Sequence, residues 1–373
     1  MQKKYTSLGL MSGTSGDGID ASIIYSNGID NFQVIKDKYF EYDNEIYKEI
    51  HTLKEKVQSL RDLEKYEKDL LALEKKITFF HAKIVKEFSL DYEDFLVGFH
   101  GQTIYHNSKE KTSKQLGDAK LLHQLSRKKI ISNFRKNDIL NGGEGAPLTP
   151  IFHQFIATQN KIKLPICILN IGGISNITIV KEPTGSLEFF SKDIGPGNCL
   201  IDTWVRKNSD EKYDKDGSLA INGKRNEIIF EQAQELYMNR INKEKLSLDV
   251  NDFDISFARG LSLQDGASTL TAFTANIIGE ALTLEFSNHE NNIKDILVCG
   301  GGRKNKTLLE QIKINLSSKI NIKLIDEYDI NGDFVESQAF AFLAIRSIEK
   351  LPITFPNTTG CKDPCSGGEI IKD

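Results

Sequence analysis

Two carboxylates are the side chains of this sequence best placed for acid–base chemistry. Asp193 stands at the end of a predicted strand, just before the turn Gly195-Pro196-Gly197, where a carboxylate can project into a cleft and accept a proton. Position alone favours an ordinary aspartate leading into a turn, with catalysis as the alternative. Glu336 precedes an apolar segment, and its spacing from Asp333 is that of a capping box at a helix start. A residue there can cap the helix and also contact a substrate, so both roles stay open for Glu336.

Glycine-rich turns follow four predicted strands. They lie at residues 13–18, 172–173, 195–197 and 300–302. Glycine lets backbone N–H groups approach an anion closely and point at it together, as phosphate sites require. None of the turns matches G-x-x-x-x-G-K-[ST] or G-x-G-x-x-G in its strand–helix context, which excludes a P-loop enzyme and argues against a dinucleotide fold. The pattern alone supports phosphate binding and ordinary turn chemistry equally.

Three further polar side chains are candidates for substrate binding. His100 and Gln102 follow a predicted buried strand and suit the orientation of a bound polar ligand better than proton transfer, with a structural hydrogen bond as the alternative for His100. Arg135 can hold a carboxylate or the reacting oxygens by charge-assisted hydrogen bonds, or else be a surface cation.

Two hairpins with similar patterns organise the elements that carry these residues. The segments 7–11 and 19–25 predict strands joined by a glycine-rich turn, and the segments 166–170 and 177–180 repeat that pattern in the second half. The repeat suggests two related lobes, although hairpin signals are common enough to coincide by chance.

Helical periodicity fills much of the chain between these strands. It predicts helical material over 44–88 and helices over 264–286, 306–314 and 337–348. Ser262 and Asp265 predict a capping box for the second of these, and Asn305 an N-cap for the third. The last helix is apolar around most of its circumference and should be buried. Short strands at 95–99 and 296–299 should deliver His100 and the turn 300–302 at their ends.

Composition limits the classes of protein to which the chain can belong. Its 373 residues suffice for two domains, and 39% hydrophobic with 27% charged residues is the balance of a globular protein. A formal charge of −4 argues against a general nucleic-acid binder. The N-terminal residues lack the pattern of a signal peptide, and no segment is long and apolar enough to span a bilayer, so we expect a cytoplasmic protein without a membrane partner.

The five cysteines predict free thiols rather than a disulfide framework. Cys361 and Cys365 have the spacing of a metal clip, but no second Cys or His pair stands at zinc-finger spacing. We therefore expect small side chains in a tail rich in proline and glycine.

Eight sequence blocks resemble one enzyme family, the anhydro-N-acetylmuramic acid kinases. They appear in the family's order along nearly the whole chain: residues 9–20 (GLMSGTSGDGID), 100–103 (HGQT), 133–135 (NFR) with 145–148 (GAPL), 170–176 (NIGGISN), 193–198 (DIGPGN), 335–341 (VESQAFA) and 358–360 (TTG).

The resemblance implies an α/β fold of the two-lobed actin/Hsp70/hexokinase-like (ribonuclease H-like) architecture with a central interlobe cleft. Residues 1–150 and 336–373 should form the N-terminal lobe, with the first phosphate hairpin and part of the sugar site. Residues 151–335 should form the C-terminal lobe, with the second phosphate loop, the catalytic aspartate and the adenosine loop.

The resemblance also implies a reaction. Such kinases use ATP and Mg²⁺ to open the 1,6-anhydro ring of 1,6-anhydro-N-acetylmuramic acid with water and to phosphorylate O6. The products are N-acetylmuramic acid 6-phosphate and ADP, in peptidoglycan recycling. The implied partners are this amino sugar and ATP, and the implied assembly is a homodimer.

Each site residue follows from a matching block of the family. Asp193 is the implied base for the attacking water, and the implied sugar-binding residues are Glu336, Arg135, His100 and Gln102. The implied nucleotide-binding residues are Ser12, Gly13, Thr14, Ser15, Gly16, Asp17, Gly18, Gly172, Gly173, Gly195, Gly197, Asn198, Gly300, Gly301, Gly302 and Asn305. Asp17 and Asp20 are the nearest candidates to hold a hydrated Mg²⁺.

The departures from the family pattern are few, and two alternative functions stay open. Ile194 stands where threonine is more frequent, Glu144 where glutamine is usual, and Asn107-Ser108 where a proline is common. One alternative is a kinase of the same architecture for another sugar, and the other is a nucleotide-binding ATPase or sensor. Asp193, Arg135 and Glu336 together favour an enzyme over a sensor.

Overall fold

The protein divides into two compact units of mixed α/β structure. The computed structural model describes residues 3–182, 189–240, 246–288 and 293–372. One unit comprises the chain up to Lys161 and again from Asp333, and the other is Ile162–Gly332. Across the described residues, no helix combines the length and apolar character needed to cross a bilayer.

Twelve strands and thirteen α-helices make up the described part of the chain. The strands are β1 (Tyr5–Ser12), β2 (Gly18–Ser26), β3 (Phe32–Glu41), β4 (Leu96–Asn107), β5 (Thr112–Leu116), β6 (Lys129–Ser132), β7 (Ile166–Ile171), β8 (Ile174–Val180), β9 (Phe189–Pro196), β10 (Asp295–Cys299), β11 (Asn321–Leu324) and β12 (Glu369–Ile371). The helices are α1 (Asn44–Lys56), α2 (Leu60–Lys65), α3 (Glu67–Asp91), α4 (Ala119–Ser126), α5 (Lys136–Leu140), α6 (Pro150–Gln159), α7 (Cys199–Asn208), α8 (Ser218–Asn222), α9 (Glu227–Arg240), α10 (Leu263–Asn288), α11 (Lys306–Ile314), α12 (Val335–Ile348) and α13 (Pro356–Thr359).

The same sheet topology occurs in both units. The first sheet has the order β12-β6-β4-β1-β2-β3, with β5 paired to β4, and the second has the order β11-β10-β7-β8-β9. In each unit, three successive strands pair antiparallel. The first of them pairs on its other side with a parallel strand, β4 or β10, and that strand pairs in turn with a second parallel strand, β6 or β11. This duplicated five-strand pattern confirms the predicted α/β, ribonuclease H-like fold class and the predicted relation between the two hairpins.

Helix α12 packs closely on the first sheet because two glycines lie beneath it. A Cβ on Gly9 of β1 would lie 1.9 Å from the carbonyl oxygen of Ser337, and one on Gly98 of β4 would lie 2.3 Å from that of Phe340. The side chains of α12 are buried over nearly all of its length, as its apolar circumference predicts. The helix is thus fixed on the sheet at the strands that carry His100 and the first glycine-rich turn.

Helix α6 belongs to the first unit, so the chain passes to the second unit only after this helix. The sequence predicted the division at residues 150 and 336, whereas the structure places it after Lys161 and before Asp333. Phe152 and Phe155 of α6 pack on Phe342 of α12, with ring centroids 5.5 and 4.8 Å apart. These aromatic contacts keep α6 with the first unit.

Local capping signals had mixed outcomes. The side chain of Asn305 accepts the N–H of Leu308 at 2.9 Å, which confirms it as the N-cap of α11. The Ser262 hydroxyl accepts the N–H of Asp265 at 3.1 Å, as predicted. Helix α12 begins after Phe334, one residue later than the Asp333–Glu336 spacing implies, and the capping box of these two residues stays a prediction.

Two strands are longer than the sequence predicted. Strand β4 continues to Asn107 because its second half pairs with β5, so residues 100–103 lie within the strand and not at its end. Strand β9 continues to Pro196, so Asp193 lies inside a strand that pairs with β8 and not at its end.

Candidate active site

The first glycine-rich turn joins β1 to β2 and is held by Gln102 from β4. The hydroxyl of Ser12 lies 2.7 Å from Gln102 Oε1, and Gln102 Nε2 donates to the carbonyl of Gly13 at 3.0 Å. Gly16 has a φ of +62°, and its N–H donates to Gly13 O at 3.2 Å, which closes the turn. The structure therefore places Gln102, predicted from the family to bind sugar, against the first glycine-rich turn.

Helix α1 supplies two polar contacts to this turn that sequence reasoning missed. Lys54 Nζ donates to Thr14 O at 2.7 Å, and His51 Nε2 lies 2.9 Å from Ser15 O. The two side chains are three residues apart and so share one face of the helix. That spacing was the available signal, but a Lys/Glu-rich helix gives no reason to separate these residues from solvated surface.

Three carboxylates gather around Tyr39 beside the same turn. The pKa of the Tyr39 hydroxyl is raised, first by burial and then by the negative charges of Asp17, Glu41 and Asp20. Asp17 also accepts a hydrogen bond from the Ser15 hydroxyl. Because Mg²⁺ needs only one or two carboxylates beside the phosphates it neutralises, this donor set fits a hydrated magnesium ion.

His100 is the extra residue of a bulge in β4. The pairing with β1 shifts between Leu10 and Met11, whose partners are Phe99 and Gly101, and Gly101 takes a φ of +76°. The bulge directs the buried imidazole of His100 to the guanidinium of Arg135, with Nε2 3.0 Å from Nη2.

The imidazole of His100 is a neutral hydrogen-bond acceptor toward Arg135. Burial, and then the charge of Arg135, lower the pKa of His100 to about 3. Its Nδ1 lies 2.8 Å from Gly101 O, which can only accept, so Nδ1 carries the proton and Nε2 accepts from Arg135. His100 is therefore an orienting group at neutral pH.

Asp138 organises the loop 142–145 and was not predicted. Its carboxylate accepts the N–H of Gly145 at 2.7 Å and the hydroxyl of Thr359 at 2.6 Å, and it is buried. Arg135 Nη1 donates to the carbonyl of the same Gly145 at 2.7 Å. These bonds join three of the family blocks (133–135, 145–148 and 358–360) in one place.

Glu336 stands in the first turn of α12, where its neighbours fix the helix. The hydroxyls of Ser337 and Ser22 lie 2.7 Å apart, and Gln338 Nε2 donates to the carboxylate of Asp37 at 3.1 Å. Burial raises the pKa of Asp37. The next two residues of the block thus anchor α12 to β2 and β3, which sets the position of Glu336.

In the second unit, two glycine-rich turns form a single structure. The N–H of Gly197 donates to Gly173 O at 2.9 Å, and the N–H of Asn198 donates to Gly172 O at 2.8 Å. A Cβ on Gly197 would lie 2.2 Å from Gly172 O, so only glycine allows this approach. The second hairpin turn and the residues before α7 are therefore assembled as one loop system.

Asp193 is a buried carboxylate with a fixed orientation. It lies in β9 opposite Asn176, and its Oδ2 accepts the N–H of Leu248 at 2.8 Å. Its own N–H donates to Leu246 O at 2.8 Å. The segment 246–248 thus holds Asp193 from outside the sheet, a contact that the sequence gave no means to find.

The fourth glycine-rich turn follows β10 and packs on the second hairpin. Gly300 has a φ of +79°, and a Cβ there would lie 2.4 Å from Asn170 Oδ1. A Cβ on Gly302 would lie 2.2 Å from Ile171 Cγ2, whereas one on Gly301 would meet no atom within 4 Å. Gly301 is thus the position of this turn with open space around it. Arg303 fixes the turn through two bonds to Asp326, at 2.8 and 3.0 Å.

Comparison with known proteins gives a match along the whole chain. The family described as anhydro-N-acetylmuramic acid kinase matches residues 5–373. A protein of that name from Pelagibacter ubique is 52% identical over 375 residues, with 100% of both chains covered. Another, from Agrobacterium fabrum, is 35% identical and covers 98% of both. A solved structure, the activator of a 2-hydroxyisocaproyl-CoA dehydratase from Clostridium difficile with bound ADPNP, covers 92% of this chain and 96% of its own at 12% identity. The TM-score between the two structures is 0.40.

Proposed function

Because the chain belongs to the anhydro-N-acetylmuramic acid kinase family, we propose that it is the kinase of 1,6-anhydro-N-acetylmuramic acid. Water opens the 1,6-anhydro ring and the γ-phosphoryl group of ATP passes to O6. The products are N-acetylmuramic acid 6-phosphate and ADP, in peptidoglycan recycling. The match to relatives of this name over their full length carries the proposal, because it includes every block that supplies a site residue.

The proposed hydrolytic step places the base on Asp193. Water attacks C1 and loses a proton to the carboxylate, while the bond between C1 and O6 breaks and O6 takes the phosphoryl group. The N–H of Leu248 fixes the orientation of this carboxylate, which supports a base that must meet one water molecule in one geometry.

Arg135, His100 and Glu336 are the proposed sugar-binding residues. The guanidinium is oriented by Gly145 O and His100 Nε2, so its charge is presented in a set direction. A guanidinium suits the carboxylate of the lactyl group, which it can bind by charge-assisted hydrogen bonds. Gln102 acts indirectly in this proposal, because its amide holds the turn at Ser12 and Gly13.

The nucleotide is proposed to bind at the glycine-rich turns. Backbone N–H groups of residues 12–18, 172–173 and 195–198 would cradle the phosphates, and residues 300–302 would receive the adenosine. The side chain of Asn305 caps α11, so in this proposal Asn305 contributes mainly by fixing the turn 300–302. Asp17 and Asp20 would hold a hydrated Mg²⁺, which when bound neutralises charge on the transferring phosphoryl group.

The proposal includes a cytoplasmic enzyme that works as a homodimer. The dimer follows from the family resemblance.

ADP formation measured with and without sugar tests the proposal. The account predicts ATP turnover that depends on 1,6-anhydro-N-acetylmuramic acid and not on N-acetylmuramic acid or glucose. Turnover with another sugar alone would indicate a different sugar kinase, and turnover without any sugar would indicate an ATPase; either result would overturn the substrate assignment.

A further inference from the structure

A second group of reactive side chains lies next to the loop 142–145. The carboxylate of Asp138 and the thiols of Cys361 and Cys365 each offer one atom, and these atoms all lie within 4.8 Å of one another. Among the residues that the structure describes, this is the one cluster of three or more His, Cys, Asp or Glu side chains with that arrangement. The spacing of the two cysteines alone did not predict it, because the third ligand is more than two hundred residues away.

We infer that Asp138, Cys361 and Cys365 form a binding site for one thiophilic divalent metal ion of the zinc type. A tetrahedral Zn²⁺ with Zn–S bonds of about 2.3 Å and a Zn–O bond of about 2.0–2.2 Å separates its ligand atoms by about 3.5–3.8 Å. The three atoms here lie within 4.8 Å of one another, a limit that includes these separations. Two thiolates and one carboxylate provide the soft, negatively charged donors that Zn²⁺ prefers, and water completes the fourth position.

Backbone hydrogen bonds hold the two cysteines in place. Cys365 forms a bridge with Thr354: its N–H donates to Thr354 O at 3.1 Å, and its carbonyl accepts the N–H of Ile353 at 2.9 Å. Cys361 follows Gly360, which ends α13 with a φ of +74°, and the next residue, Lys362, donates its N–H to Asn141 O at 3.2 Å. The ligands are therefore positioned before any ion arrives, which reduces the entropic cost of binding.

The metal-free site has a simple proton balance. Binding of one divalent ion releases the two thiol protons as two S–metal bonds form. Asp138 keeps its bonds to Gly145 and Thr359, because each carboxylate oxygen has a second lone pair.

The proposed ion would join the C-terminal segment to the loop beside Arg135. Asp138 already bonds Gly145, and the carbonyl of Thr359 accepts the N–H of Glu144 at 2.8 Å. An ion bound to Asp138, Cys361 and Cys365 would add metal–ligand bonds between the same two segments. This site is independent of the proposed reaction, since none of its ligands needs to contact sugar or nucleotide.

Cobalt titration of the full chain tests the site without reference to activity. Protein purified with a reductant, stripped by a chelator and dialysed is titrated with Co²⁺, and the thiolate-to-metal charge-transfer absorbance is recorded. We expect one Co²⁺ per chain, displacement by Zn²⁺, and at least about a tenfold loss of affinity in Cys361→Ala and in Cys365→Ala. The matched control is Cys167→Ala, a buried cysteine of β7 in the other unit, which should keep the band.

Three results would overturn the inference. The first is a parent protein without a thiolate band, and the second is an equal band in Cys361→Ala and Cys365→Ala. The third is a Cys361–Cys365 disulfide, found by mass spectrometry of protein isolated without reductant, together with no Co²⁺ binding after reduction. That combination would make the pair a redox site. The test relies on the cysteine variants because removing the Asp138 carboxylate would also disturb the loop 142–145.

Discussion

Arg135 Nη2 lies 3.0 Å from His100 Nε2, so a charged guanidinium donates to a neutral, buried imidazole. The other guanidinium nitrogen, Nη1, donates to Gly145 O at 2.7 Å. The pair thereby connects the bulge of β4 to the loop 142–145. This connection gives His100 a positioning role toward the guanidinium of Arg135.

Arg135→Lys should weaken sugar binding. A lysine cannot bond Gly145 and His100 with the planar geometry of a guanidinium, so the positive charge loses its fixed direction. We expect the KM for the anhydro-sugar to rise about 10- to 100-fold, the range for a hydrogen bond to a charged group, while the KM for ATP changes little. The matched control is Arg127→Lys, an exposed arginine of the same unit. Equal changes in both KM values, or none in either, would contradict the assignment.

Gly301→Ala should impair nucleotide binding without destabilising the protein. A methyl group at Gly301 meets no protein atom within 4 Å, so the melting temperature should not change. If the adenosine lies against this turn, the methyl group occupies its space, and the KM for ATP should rise about tenfold, equivalent to about 1.4 kcal/mol.

Gly302→Ala provides the contrasting variant for the same turn. Its methyl group would lie 2.2 Å from Ile171 Cγ2, so it should lower the melting temperature. A Gly301→Ala protein with the parental KM for ATP would place the nucleotide elsewhere.

His81 should make folding stability depend on pH. Burial lowers its pKa to about 4, whereas an unfolded histidine titrates near 6.5. The unfolded chain binds more protons between these values, so stability that is fully present above pH 6.5 is lost as the pH falls toward 4.

His81→Phe removes this dependence in a testable way. The ring contact with Phe99, at 4.8 Å between centroids, can persist, and the Nε2 of His81 has no hydrogen-bond partner among the described residues. Between pH 8 and pH 5, the unfolding free energy of the parent should fall by roughly 2 kcal/mol more than that of the variant, measured by urea denaturation. The pH 8 comparison is the internal control, and an equal loss in both proteins at pH 5 would show that His81 does not cause it.

Elements specified by short-range signals were predictable from the sequence. The hairpin β1–β2, the N-cap Asn305 and the burial of α12 each follow from residues that are neighbours in the chain. The extension of β4 was not predictable, because the strand continues only where β5 pairs with it.

The contacts within the candidate site could not be predicted from the sequence. The family blocks supplied Asp193, Arg135 and Gln102, yet Gln102 lies against Ser12, 90 positions away, and not with the proposed sugar-binding pair. Asp138 was missed because its partner Thr359 is 221 positions away and only the folded chain brings them together. Likewise, nothing near Asp193 in the sequence indicates that Leu248, 55 positions away, orients its carboxylate.

Asp193→Asn should abolish most of the turnover. The amide cannot accept a proton from water, and general-base catalysis contributes about 10²- to 10⁴-fold, so kcat should fall by a factor in that range while the protein stays folded. Asp295→Asn is the matched control. Asp295 lies in the same unit at the start of β10, and its carboxylate is bonded to Asn321 and Lys323. If both variants retain the parental kcat, the base is another residue.

The most direct test of the central claim is mass spectrometry of the product formed from 1,6-anhydro-N-acetylmuramic acid and MgATP in ¹⁸O-water. We predict a sugar 6-phosphate that carries one ¹⁸O at C1, because water attacks that carbon while O6 takes the phosphoryl group. A product without the label at C1 would contradict hydrolytic ring opening. The absence of any phosphorylated sugar would contradict the assignment of this substrate.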